Sequence, residues 1–177
     1  MVELNFREQS KIAELTEAVY NRDADGNAGP ASLSSLSQGI RNDYIIEIAD
    51  NTGGDVVYTF VDRETGQLYV IARGTDSSQD VFDEYPYLLT GNVSNLAIKI
   101  AAAAEALSAE YGGAKVTVAG HSLGGSESVA ASLLALDVID KAVNVQGPQL
   151  IEKWYIPLYA RRWWSMTPSS RQRRSRK

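Results

Sequence analysis

Val116-Thr117-Val118-Ala119-Gly120-His121-Ser122-Leu123-Gly124-Gly125 is the stretch on which the fold of this 177-residue chain turns. Strand-forming residues run into a Gly-x-Ser-x-Gly turn, and a helix-forming run follows. A strand-to-helix turn this sharp lifts the Ser122 Oγ to the carboxyl end of its strand. Gly120 and Gly124 flank the serine because a β-carbon would clash there. The five-residue pattern alone is a weak signal. Set between a strand and a helix, it marks Ser122 as a candidate nucleophile.

Downstream, the strand, turn and helix together occupy about 115–136. Val129, Leu133 and Leu136 form the expected apolar stripe of the helix, and Gly124 and Gly125 let it approach the strand. Ala142-Val143-Asn144-Val145 reads as another strand, ending in Gln146-Gly147-Pro148. Strand, helix, strand at this spacing is a βαβ unit, so the strands near 68, 115 and 142 are expected to run parallel.

Upstream, the clearest helix spans roughly 93–111, where Val93, Leu96, Ile100, Ala104, Leu107 and Tyr111 step at threes and fours. Asn92 is its expected N-cap and Gly112-Gly113 its stop. Residues 73–91 form a long connection with room for a short helix. Three strands precede it, at 43–49, 55–61 and 68–72. Their turns are too short for parallel crossovers, so they are expected to be antiparallel. The first alternates and has one wet face; the last is apolar throughout and buried on both faces. Residues 3–20 read as a helix on Leu4, Ile12, Leu15 and Val19. After it, Asn21, Asp23, Asp25 and Gly26 match the start of a calcium loop. Ser32 stands where the bidentate Glu is needed, so this stretch reads as a polar turn. The fold class is α/β: a mixed sheet, antiparallel at its N-terminal strands, parallel around the serine turn, and flanked by helices.

Composition bounds the rest. The chain is long enough for one domain with a sizeable core. It has no Cys, hence no disulfide framework or thiolate metal site, and one histidine, His121. No metal or cofactor is expected. The N-terminus has neither the basic nor the apolar region of a secretory signal, and no run reaches the ~18 apolar residues of a spanning helix. The expectation is a soluble protein, cytoplasmic or exported by a route that needs no N-terminal signal. Its net charge of −5 is unevenly spread: residues 161–177 hold seven basic residues and no acid, while 1–160 hold ten basic against 22 acidic. The body is therefore too acidic for nucleic acid. The tail reads as a basic, disordered end able to make weak contacts with anionic surfaces.

Over roughly residues 10–150 the sequence resembles the class 3 lipase (fungal-lipase-like) family of α/β-hydrolases. Three features carry the resemblance in order: Val70-Ile71-Ala72-Arg73-Gly74-Thr75-Asp76, Gly120-His121-Ser122-Leu123-Gly124-Gly125, and Val145-Gln146-Gly147-Pro148. The resemblance implies a lipase- or esterase-type enzyme acting on acyl esters, with Ser122 as nucleophile. It also implies an oxyanion hole made by the backbone N–H groups of Leu123 and Thr75. The physics agrees for Leu123, because an amide that opens a helix sits at its positive end and favours developing negative charge. Arg73 reads as a brace for its loop.

In this family the acid and then the histidine follow the serine. Here no histidine follows Ser122, and His121 is too close in the turn to aim its ring readily at the Ser122 Oγ. Asp137, Asp140 and Glu152 are acids with no histidine to orient. The family pattern stops just after Gly147-Pro148, so 1–160 read as a C-terminally incomplete hydrolase domain and 161–177 as its basic tail. A catalyst impaired by the missing base is one reading. A non-catalytic binding protein or truncated pseudoenzyme is the other, and the motif leaves lipase, esterase, thioesterase and transferase open. An incomplete sheet would leave the strand at 142–145 as an apolar edge, an expected dimerisation site.

Overall fold

The computed structural model describes residues 6–20, 33, 36–50, 55–74 and 93–146. The calcium-like loop, all of the 73–91 connection from Thr75 onward, Asn92, Gly147-Pro148 and the basic tail lie outside the described residues.

Five strands form one sheet: β1 (Tyr44–Asp50), β2 (Val57–Asp62), β3 (Leu68–Ala72), β4 (Val116–His121) and β5 (Ile139–Val145). They lie in sequence order, antiparallel across β1-β2-β3 and parallel across β3-β4-β5. Among the described residues β1 and β5 are the edges. The change from antiparallel to parallel follows from connection length, because only β3-to-β4 and β4-to-β5 have chain enough for a helix between them.

Period-two alternation divides the buried residues into two cores. Val57, Val61, Leu68, Val70, Ala72, Val116 and Val118 face α3 (Asn95–Glu110) and α4 (Leu123–Leu134). Tyr58, Phe60, Tyr69, Ile71 and Ala119 face α1 (Phe6–Ala18) and α2 (Gln38–Asp43). The first core is aliphatic and alanine-rich, so α3 packs close to the sheet through Ala97, Ala101 and Ala104. The second is aromatic, with Tyr44 edge-on to Phe60 and Tyr69 at centroid distances of 5.8 and 6.4 Å.

β2 and β3 are buried at every position, whereas β1 keeps the expected wet face at Ile45 and Glu47. β5 starts earlier than the sequence suggested and carries a register shift, with Ile139 opposite Val116 but Lys141 opposite Thr117. The unpaired Asp140 swaps the two faces of the strand from there on. Lys141 consequently reaches Glu8 of α1, Nζ to Oε1 at 2.6 Å. Lys11 pairs with Asp62 and Gln67 donates to Glu8, so α1 is tied to the β2-β3 turn and to β5 by charge as well as by Ile12 and Leu15.

Three local expectations need correction. The N-cap of α3 is Ser94, not Asn92: the Ser94 Oγ accepts the Ala97 N–H at 3.0 Å. Helix α2 was not anticipated; six residues are too few for a periodic signal, and the helix hangs on the Ser37 cap and buried Ile40. The packed row of α4 is not Val129, Leu133 and Leu136. Gly124, Ser128, Ala131 and Ala135 are buried instead, Val129 and Leu133 are half-buried, and Leu136 is 39 % exposed. The backbone of α4 approaches the sheet so closely that only small residues fit on the inward row. The stop at Gly112-Gly113 is as read: both have positive φ (69° and 85°), and the Gly113 N–H donates to the Ser108 carbonyl at 2.7 Å.

Candidate active site

β4 delivers Ser122 to the carboxyl end of the sheet, between a strand and the first turn of α4. Its backbone lies at φ 55° and ψ −129°, a region L-residues avoid at a cost of about 1–3 kcal/mol. Such a conformation persists only when its surroundings over-determine it. The peptide preceding Ser122 is held from both sides: its N–H donates to the Val145 carbonyl at 3.0 Å, and its carbonyl, that of His121, accepts from the Tyr20 hydroxyl at 3.1 Å. The Ser122 carbonyl accepts the Gly125 N–H at 3.0 Å and the Ser126 N–H at 3.4 Å, which starts the helix. Although Ser122 occupies the N-cap position, its side chain makes no capping hydrogen bond. The Oγ is thus not spent on the helix end. The Leu123 N–H that follows has no acceptor among the described residues and opens α4 at its positive end.

The turn's glycines answer to measured contacts. A β-carbon on Gly120 would stand 2.5 Å from the Gly124 carbonyl oxygen and 2.8 Å from that of Ala72. On Gly124 it would stand 2.6 Å from the Ala72 oxygen and 3.0 Å from the Gly74 nitrogen. On Gly74 it would lie 2.5 Å from both the His121 carbonyl oxygen and the Tyr20 hydroxyl. Gly125 is closed in by Asn144 and by the Gly120 carbonyl oxygen. The end of β3, the turn and β5 therefore meet backbone to backbone. Arg73, at the end of β3, is buried, and its N–H donates to the Val56 carbonyl at 3.0 Å. Burial pushes the Tyr58 hydroxyl above its ordinary pKa, partly offset by the charge of Arg73.

His121 points its ring away from a triad arrangement. Its Nε2 lies 3.3 Å from the Gln146 Oε1, and the ring stands edge-on to Tyr20 at 5.5 Å. Among the described residues it makes no hydrogen bond to Ser122. These three residues, with Ala13, Thr16, Glu17 and Val145, line an open cleft of ≈ 450 Å³ beside the turn. Gln146 has φ 54°, so both non-glycine residues with positive φ among those described follow the carboxyl ends of adjacent parallel strands.

On the buried face of α4 itself is Glu127, 1 % exposed, whose carboxylate accepts from the Ser94 hydroxyl. Ser94 also caps α3, so one hydroxyl joins the α3 N-terminus to the helix that carries Ser122. A carboxylate beside a helix N-terminus is favourably placed. Asp137 and Asp140 are exposed, away from this centre. No group of three or more His, Asp or Glu among the described residues could hold a metal ion.

The turn places Ser122, Leu123, Gly120 and Gly124 in one spot, as the sequence motif leads one to expect. Thr75 lies outside the described residues, one position beyond Gly74. Tyr20 and Gln146 are site neighbours that the sequence does not announce: Tyr20 is 101 residues from the carbonyl it binds, and no local pattern encodes that contact.

No protein-family model and no curated protein matches the chain. Among solved structures, the Lip2 lipase of the yeast Yarrowia lipolytica is similar, with a TM-score of 0.52 and 17 % identity. The match covers 84 % of this chain and 63 % of that lipase, so the chain spans less than two thirds of its neighbour's length. The likeness extends to the fold: a mixed α/β sheet of lipase type.

Proposed function

We propose that the chain carries out serine-based acyl-ester chemistry of the lipase or esterase type, with Ser122 as nucleophile and the Leu123 and Thr75 amides as oxyanion donors. The observation that carries the reading is the combination at Ser122 of a costly backbone conformation, held from both sides, with a side chain that caps nothing. Strain of this kind clusters at functional sites. In the proposed step the Ser122 Oγ attacks the ester carbonyl carbon and loses its proton to solvent base. The carbonyl oxygen, now negative, is met by the amides, and the alcohol leaves as the C–O bond breaks. Water then hydrolyses the acyl-serine.

These 177 residues supply no histidine to take that proton, since His121 is turned to Gln146 and Tyr20. In a comparable serine hydrolase, loss of the triad histidine costs on the order of 10⁶ in turnover. An oxyanion hole with substrate binding alone keeps roughly 10³–10⁴ over water. This chain should accordingly release p-nitrophenol from p-nitrophenyl butyrate slowly but above background, and Ser122→Ala should remove the excess. Equal rates for the two proteins would refute the nucleophile; turnover at ordinary enzyme rates would refute the missing base.

The lone, engaged histidine also favours a second reading, a non-catalytic lipase-like fold that binds a partner or a lipid surface. Here the basic stretch 161–177 would supply the contact, at about 1 kcal/mol per basic residue near an anionic membrane. Co-sedimentation with anionic vesicles should then fall with salt and on deleting 161–177. Indifference to both would sink it.

A further inference from the structure

We propose that Tyr20 is a positioning residue for the acylation step, acting through the backbone of the Ser122 turn; the proposal rests on the serine-nucleophile reading above. Its hydroxyl bonds to the backbone at both strand ends of the site. It donates to the His121 carbonyl at 3.1 Å and accepts the Gly74 N–H at 2.5 Å. The first bond fixes the peptide whose other face is fixed by the Ser122 N–H to Val145 carbonyl bond. Together these two bonds set the rotation that produces φ 55° at Ser122, and with it the direction of both the Oγ and the Leu123 N–H. The second bond sets the height of the β3 end relative to β4. Gly74 is glycine because the hydroxyl and the His121 carbonyl occupy the place of a β-carbon. Thr75, the other proposed donor, is the next residue in sequence.

Tyr20 itself is placed from two directions. It ends the α1 segment, whose Lys11 and Glu8 are tied to Asp62 and Lys141, and its ring stands edge-on to His121. Removing the oxygen alone, as in Tyr20→Phe, leaves ring packing in place. It releases the Gly74 N–H and the His121 carbonyl together, so the two strand ends can drift against each other. A displacement of about 1 Å at reacting groups costs on the order of 10²-fold in rate.

The test compares wild type, Tyr20→Phe and Ser122→Ala in single-turnover acylation by p-nitrophenyl butyrate and by its thiono analogue, with acyl-serine followed by mass. Sulfur accepts hydrogen bonds weakly, so the oxo-to-thiono rate ratio reports the oxyanion donors. It is insensitive to the fraction of protein that is folded, which affects both esters equally. Tyr20→Phe is expected to slow oxo-ester acylation about 10- to 100-fold and to lower the ratio several-fold. An unchanged ratio, whether or not the rate falls, overturns the proposal and leaves Tyr20 a structural residue. If acyl-serine persists undiminished in Ser122→Ala, the nucleophile reading fails and this proposal fails with it.

Discussion

Replacing Gly120 by alanine should be among the most damaging single-methyl additions in the chain. The added carbon would stand 2.5 Å from the Gly124 carbonyl oxygen and 2.8 Å from the Ala72 carbonyl oxygen. Ordinary contact begins near 3.4 Å, so the first gap must open by about 0.9 Å and the second by about 0.6 Å. Neither oxygen belongs to a mobile side chain. One is in the first turn of α4 and the other ends β3, so relief requires moving a helix off the sheet. Overpacking costs typically 1–3 kcal/mol where side chains can yield; with backbone on both sides, about 3 kcal/mol or more is expected. Gly39→Ala is the matched control. Gly39 is exposed on α2, an added carbon there meets only the Ser37 Oγ at 3.8 Å, and alanine gains about 0.5–1 kcal/mol in helix interiors. Urea unfolding followed by circular dichroism should give opposite signs for the two variants. If Gly120→Ala costs less than 1 kcal/mol, the backbone-to-backbone meeting at the turn is not as described.

Ser122→Gly should stabilise the protein by about 1 kcal/mol, because glycine adopts φ 55° without strain, while abolishing acylation; a destabilised variant would contradict strain at this position. Lys141→Ala removes the 2.6 Å partner of nearly buried Glu8 and should cost about 1–3 kcal/mol by denaturant titration, with no measurable change refuting the role given to the Asp140 bulge. Burial alone would raise the Asp62 carboxyl pKa, but hydrogen bonds from Lys11 and from the Thr65 and Glu64 amides outweigh it and hold it below the ordinary value. Its stabilising contribution is therefore complete above about pH 4 and is lost as pH falls through the lower folded value; Asp62→Asn should flatten the acid limb of a melting-temperature profile. Burial, followed by the charge of Asp62, pushes Tyr44 up to about 12. Stability should then fall between about pH 10 and 12, and phenolate absorbance from Tyr44 should lag behind that of exposed tyrosines.

The strands were legible because their signal is local. Alternation at 44–49 and the unbroken apolar run at 68–72 follow from how many faces each strand buries, and short turns dictated antiparallel pairing. The Ser122 turn was legible because close backbone contact leaves glycine as the only residue able to fill four places. What the sequence hid depends on distance or on small residues. The inward row of α4 is Gly, Ser and Ala, which a hydrophobic pattern cannot see, so the pattern points to the larger Val129 and Leu133 instead. Ser94 is not singled out by the sequence, because several nearby polar residues can cap α3 and only geometry selects one. Tyr20 sits at the end of an ordinary amphipathic helix, and nothing near it in sequence announces the carbonyl of His121. The resemblance to lipases correctly indicated the type of sheet, for which the Lip2 likeness is independent support.

On this reading Ser122 is a placed but unassisted nucleophile. Prolonged incubation with an alkyl fluorophosphonate, followed by intact-mass and peptide mapping, tests it directly. The prediction is a single phosphonyl adduct on Ser122, formed slowly and absent from Ser122→Ala. No adduct, or an adduct on another serine that survives in Ser122→Ala, would contradict it.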